Sequence, residues 1–213
     1  MDIVFLFYDR MTALDAVGPH EVLSRLPGAT IHRVAKQAGS IRTDSGLTLI
    51  ANSPLSTISR ADVLLVPGAG NATTLRDHPE ILEWVRKIDK TTTWTTSVCT
   101  GSLILGAAGI LSGVRATTHW AVFDRLKPLG AIPTHGRVIE DGKILTAAGV
   151  SAGIDMALQL AAKLAGVPFA QAVQLGIEYD PAPMFDVGSP EKADPAIREA
   201  LRARMLAKFE DFK

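Results

Sequence analysis

Cysteine occurs once in the sequence, at position 99, inside the run Trp94-Thr95-Thr96-Ser97-Val98-Cys99-Thr100-Gly101-Ser102. A single thiol cannot close an internal disulfide or supply a thiolate-rich metal cage, so Cys99 is either a small buried hydrophobe or a chemical group. Its position favours chemistry. A β-rich run ends at Val98 and a helix-forming run begins at Thr100, and a side chain on such a turn projects into the cleft at the carboxyl ends of the strands. Gly101 keeps the far side of the turn uncrowded. The free N–H groups and dipole of the following helix are expected to lower the thiol pKa from its usual ~8.5.

Two further features point at the same cleft. Pro67-Gly68-Ala69-Gly70 follows the apolar run Val63 to Val66, and a glycine-rich turn at a strand end can present backbone N–H groups to developing negative charge, or be no more than a tight turn. Asp15, in Leu14-Asp15-Ala16-Val17-Gly18-Pro19, places a carboxylate in an apolar setting after the first strand. It could equally cap a helix beginning near Pro19. The histidines, at 20, 32, 78, 119 and 135, are scattered without zinc-site spacing, so no metal and no cofactor are expected. His119 is read as a structural histidine.

These groups need a scaffold that gathers strand ends. Short apolar runs bounded by turn residues alternate with longer amphipathic segments, the pattern of a mostly parallel sheet between helices. Strands are predicted at Ile3 to Tyr8, Thr30 to Ala35, Val63 to Val66, Thr93 to Val98, Arg115 to Thr117 and Ile144 to Ala147. Helices are predicted at Pro19 to Ser24, Pro79 to Asp89, Thr100 to Ala108, Trp120 to Leu126, Ser151 to Leu164 and Phe169 to Glu178. A small β excursion is expected from Ile41 to Ala51, and a hairpin over Val138 to Leu145 around Asp141-Gly142. Residues 1–213 read as one α/β domain, with an extended arm and terminal helix from about 180.

Bulk composition narrows the partners. The 213 residues carry 22 basic and 22 acidic side chains, leaving no charge excess to draw the chain to nucleic acid or an anionic membrane. No segment reads as a signal peptide or reaches the roughly 20 apolar residues of a membrane helix, so a cytoplasmic protein is expected.

Leu14 to Pro19, Val66-Pro67-Gly68, Ser97 to Ser102, Arg115 to Trp120 and Ala148 to Asp155 together resemble the ThiJ/PfpI superfamily, and within it the bacterial isocyanide hydratases. The resemblance extends to the arm beginning Glu178-Tyr179-Asp180-Pro181. It implies a flavodoxin-like three-layer sandwich with a nucleophile elbow, and a homodimer. It also implies roles: Cys99 as nucleophile, Asp15 as its acidic partner, and Thr100 as the residue whose N–H and hydroxyl face the site. Gly68 would supply another amide, and Val150 would line the pocket. Superfamily members with peptidase activity place His directly after the nucleophile, where this chain has Thr100, so the adjacent Cys-His pair is absent.

The reaction so implied is addition of water to a small-molecule isocyanide, giving an N-substituted formamide through a thioimidate on Cys99. Asp15 would exchange protons with the intermediate and water. Two alternatives keep the cysteine: glyoxalase-like hydration of α-oxoaldehydes, and a non-enzymatic redox-sensing or stress-response role. A third, a ligand-sensing domain like those of AraC-type regulators, is disfavoured by the neutral charge and the chain's end at Lys213.

Overall fold

The protein is described by a computed structural model over residues 1–71 and 78–209. Its elements in chain order begin with β1 (Asp2–Leu6), α1 (Ala13–Leu23), β2 (Thr30–Ala35), β3 (Gly39–Arg42), β4 (Thr48–Ala51), β5 (Ser53–Pro54) and β6 (Val63–Val66). Then come α2 (Pro79–Asp89), β7 (Trp94–Val98), α3 (Gly101–Ala107), β8 (Arg115–Ala116), β9 (Ile132–Pro133), β10 (Val138–Asp141) and β11 (Ile144–Ala147). The chain closes with α4 (Ala152–Ala165), α5 (Val167–Gly176) and α6 (Pro195–Ala207).

Seven strands form the main sheet in the order β10-β11-β7-β6-β1-β2-β5. All neighbours are parallel except β10 and β11, which make the hairpin. The runs Ile3 to Leu6 and Val63 to Val66 are fully buried, because parallel strands covered by helices on both faces read as continuous apolar stretches. β7 is buried although it is Trp94-Thr95-Thr96-Ser97-Val98, and its hydroxyls are largely satisfied. Thr96 donates to the Leu64 carbonyl at 3.0 Å and Thr95 to Asp89 Oδ1 at 2.7 Å. A mostly parallel sheet flanked by helices is the flavodoxin-like arrangement, and it brings the carboxyl ends of β1, β6, β7 and β11 together.

Several boundaries differ from the sequence reading for physical reasons. α1 starts at Ala13, not near Pro19, so Pro19 lies inside the helix. Close packing against α4 overrides the local preference for proline at a helix start: a Cβ on Gly18 would sit 2.9 Å from Ile154, and one on Gly153 would sit 3.0 Å from Pro19. The segment Trp120–Arg125 is a 3-10 run broken at Val122, not an α-helix. Arg115 and Ala116 pair with Ile132 and Pro133, in a separate small sheet outside the main one. The β excursion is the isolated hairpin β3–β4, and β5 is an edge strand that the proline at position 54 obscured.

Beyond α5 the chain runs without regular structure from 180 to 194 before α6. Tyr179 anchors the start of this arm by donating to Asp155 Oδ1 at 3.2 Å, and Arg202 on α6 pairs with Asp124 at 3.0 Å. Phe209 is fully buried; the last four residues lie outside the described ones. No described helix is long and apolar enough to cross a membrane.

Candidate active site

Cys99 occupies the turn between β7 and α3 with φ +58°, a left-handed backbone conformation uncommon outside glycine. Its N–H is shared between the Ala147 and Ala148 carbonyls, at 3.1 and 2.8 Å. Its carbonyl accepts from the Thr118 hydroxyl at 3.0 Å and the Ser102 hydroxyl at 3.3 Å. These four contacts hold the strained conformation. Gly101 makes the turn possible, because a Cβ there would lie 2.1 Å from the Val66 carbonyl oxygen. The sharp turn of a nucleophile elbow thus follows from the sequence Cys99-Thr100-Gly101 packed against the end of β6.

The structure brings Asp15, Gly68, Thr100 and Val150 to Cys99. Asp15 lies in the first turn of α1, fully buried, and its Oδ2 accepts from the Gly68 N–H at 2.8 Å. Its other oxygen, Oδ1, is buried with no partner in hydrogen-bonding geometry among the described residues, while the carboxyl as a whole interacts with the Cys99 thiol. Gly68 has no room for a side chain: a Cβ would lie 2.5 Å from Thr100 N and 3.0 Å from Asp15 Oδ2. The backbone amides of Val150 and Thr100 donate toward the sulfur. The Thr100 hydroxyl is otherwise engaged. It donates to the Ala69 carbonyl and accepts from the Ala69 N–H, both at 2.8 Å, so it pins the Pro67–Gly70 turn, and the part of Thr100 directed at the sulfur is its amide.

Burial reverses the expected direction of the thiol pKa. Cys99 is 4% exposed, and desolvation followed by the charge of Asp15 pushes the thiol well above its ordinary value, outweighing the two amides. The helix that follows is only seven residues long. Burial also raises Asp15 to about 7, with the negative charge of Asp44 adding to the effect and the Gly68 N–H opposing it. Two acids in such contact do not both ionise near neutrality, so as pH rises through about 7 the pair passes from two protons to one held between sulfur and carboxylate.

One nearby group, Tyr8, escaped the sequence reading, and another, His119, was read there without its contacts. Tyr8, two residues beyond β1, is buried and donates to the Pro67 carbonyl at 2.7 Å; burial and the neighbouring Asp15 and Cys99 hold its hydroxyl protonated. Only its place just after an apolar strand could have marked it. His119 was read as structural, and its Nδ1 accepts from the Ala121 N–H at 3.3 Å, capping the 3-10 run. Burial lowers its pKa to about 4, so the ring is neutral with its proton on Nε2.

A cavity of about 730 Å³ adjoins the elbow. Leu14, Thr118, His119, Trp120, Ala148 and Val150 line it, together with Gly188 to Glu191 of the arm. Cys99 and Asp15 are not part of this lining, but Thr118 and Val150 hydrogen-bond Cys99 directly. The cavity and the sulfur are one residue apart.

The family model for DJ-1/PfpI matches residues 1–163. The chain is 44% identical over 204 residues to an isonitrile hydratase of Pseudomonas putida, covering 96% of this chain and 90% of that protein. An HTH-type transcriptional regulator of Pseudomonas aeruginosa is 29% identical over 76% of this chain, which spans 49% of the regulator. Among solved structures, a ThiJ/PfpI family protein from Pseudomonas syringae superposes with TM-score 0.94 at 39% identity, over 97% of this chain and 86% of that one.

Proposed function

The chain belongs to the DJ-1/PfpI family, and from that premise we propose that it is an isonitrile hydratase, converting R–N≡C and water to the formamide R–NH–CHO. The observation that carries the reading is the buried Asp15 carboxyl, bound on one side by Gly68 and coupled on the other to the thiol of Cys99. This is a nucleophile and a proton carrier with no histidine between them.

The terminal carbon of an isocyanide accepts both a nucleophile and a proton. The Cys99 sulfur attacks that carbon while the shared proton moves from Asp15 to it, giving the thioimidate R–N=CH–S–Cys99. Asp15, now a carboxylate, takes a proton from a water whose oxygen adds to the same carbon, and passes that proton to the nitrogen. Collapse of the tetrahedral adduct breaks the C–S bond, releases the formamide and returns one proton to the pair. The amides of Val150 and Thr100 stabilise the departing sulfur as thiolate. The substituent R is expected in the 730 Å³ cavity, against Trp120, Leu14 and Val150.

The test is product identity. The purified protein is expected to form N-(4-nitrophenyl)formamide from para-nitrophenyl isocyanide, with lactate formation from methylglyoxal at least ~100-fold slower in kcat/KM, a difference of about 2.7 kcal/mol in transition-state binding. Faster lactate formation would replace this reading with the glyoxalase-like one. Absence of both activities, with Cys99 readily oxidised by peroxide, would favour the redox role.

The active form is proposed to be a homodimer. Met184, Phe185 and Val187 on the arm and Ile197 and Leu201 on α6 are exposed apolar side chains, and α6 buries none of its residues within the chain. A second copy would cover them. Sedimentation equilibrium is expected to give twice the 22.7 kDa chain mass, and Phe185→Asp combined with Ile197→Asp to shift it toward the monomer. A monomeric wild-type protein at micromolar concentration would overturn the dimer.

A further inference from the structure

The hairpin β3–β4 stands apart from the main sheet, yet its turn is stitched to the loop between β1 and α1. Arg10 N donates to the Arg42 carbonyl at 2.8 Å, Arg42 N to Asp9 Oδ1 at 3.3 Å, and Asp44 N to the Met11 carbonyl at 3.1 Å. Met11 in turn bridges Ala69. At the centre of this stitching the Thr12 hydroxyl donates to Asp44 Oδ2 at 2.6 Å. Thr12 is the N-cap of α1, where a threonine hydroxyl ordinarily accepts from the helix's own first N–H groups, but here it makes no such bond. A local rule broken beside a site points to another demand on the residue.

The demand is visible in the main chain. Thr12 N donates to the Gly68 carbonyl at 2.8 Å, Gly68 N donates to Asp15 Oδ2 at 2.8 Å, and Asp15 N donates to the Thr12 carbonyl at 3.2 Å. Thr12, Gly68 and Asp15 form a closed ring of hydrogen bonds, and Asp44 grips it from outside. We propose that Asp44 is a positioning residue for the Cys99–Asp15 pair, fixing the Thr12–Gly68–Asp15 ring through the Thr12 hydroxyl and adding its negative charge to the field at Asp15. The role in turnover rests on the hydratase reading; the effect on the pair does not.

The charge part follows from what surrounds Asp44. Asp9, Arg10, Arg42 and Lys208 line the same surface cleft, but among the described residues none of the three cations pairs with Asp44. Acting on Asp15 are Tyr8 from the segment after β1, Cys99 from the elbow and Asp44 from the hairpin turn, and none of the three is a cation. On α4, packed against α1, Asp155 is spent on Arg137 and Tyr179. Asp44 is therefore an anion near Asp15 that solvent and salt can screen, because it is exposed.

The test reads the pair without the reaction: the pH dependence of Cys99 alkylation by iodoacetamide, whose acidic limb reports ionisation of the pair. Asp44→Asn keeps an acceptor for Thr12 but removes the charge, and is expected to move the limb to lower pH by a few tenths of a unit or more. In wild-type protein, 1 M salt is expected to move it in the same direction. Thr12→Val keeps the charge but cuts the grip, and is expected to lower isocyanide kcat several-fold per titratable thiol with KM little changed, while Thr12→Ser restores it. An alkylation limb unmoved by both Asp44→Asn and salt would overturn the proposal, as would a Thr12→Val protein with wild-type isocyanide kcat per titratable thiol. If isocyanide is not turned over at all, the hydratase reading fails while the alkylation result still decides the role of Asp44.

Discussion

Cys99→Ser is expected to lower isocyanide turnover by at least ~10³-fold, equivalent to about 4 kcal/mol of lost transition-state stabilisation. The serine hydroxyl is a far weaker acid than the thiol, and the thiol is already held above its ordinary pKa by burial and Asp15. A carboxyl near 7 has no means of generating an alkoxide there. Cys99→Ala removes the nucleophile altogether and should fall to background. Neither change should unfold the protein. The strained φ of +58° is paid by any residue with a Cβ, so cysteine, serine and alanine bear it alike. The check is formamide release under saturating substrate, with unfolding in urea as control. Intact mass spectrometry of the wild-type protein, quenched early, should show an added mass of one isocyanide that is absent in both variants. Turnover within tenfold of wild type in Cys99→Ser would exclude covalent catalysis at this sulfur.

The elbow was legible because its signals are local. A buried β-branched and hydroxyl run, a cysteine and a glycine two residues later state a strand, a sharp turn and a close approach, and the 2.1 Å clearance at Gly101 is the physical content of that spacing. Asp15 was legible as a carboxylate in apolar company, but its seat was misjudged. Reading Pro19 as a helix start put Asp15 before the helix, whereas contacts with Ile154, distant in sequence, extend α1 back to Ala13. What could not be read locally is whatever depends on depth and on distant partners. The direction of the thiol pKa is set by burial, which a helix-start argument does not contain. The Thr100 hydroxyl turns to Ala69 and the Thr12 hydroxyl to Asp44, each choosing a partner some thirty residues away over its own helix. Local rules locate the reactive atom; the long-range contacts decide its protonation.

That division makes Asp15 the residue whose removal separates mechanism from scaffold. Asp15→Asn is nearly isosteric, and its side-chain oxygen can still accept from Gly68 N, as Oδ2 does at 2.8 Å. What it loses is the exchangeable proton. A proton-transfer group in the transition state is worth ~10²–10⁴-fold in rate, and kcat should fall in that range while Cys99 remains titratable. The pH dependence carries the sharper signature. In wild-type protein kcat/KM should rise through an apparent pKa near 7, as the pair passes from two protons to the one-proton form that can deliver thiolate and acid together. In Asp15→Asn that limb should vanish. Stability should respond with a definite sign. A carboxyl raised from 3.8 to about 7 on folding binds more proton in the folded state, so its contribution to stability is present below pH ~4 and is lost as pH rises toward 7. The loss is of order 4 kcal/mol. The asparagine protein does not share that loss, so its stability relative to wild type should improve steadily from pH 4 to pH 7, even if the buried amide finds no acceptor where Oδ1 has no partner. Urea unfolding at those two pH values measures the difference. A relative stability that is flat or worsens with pH would mean that Asp15 ionises normally in the folded protein, and the shared-proton mechanism would go with it.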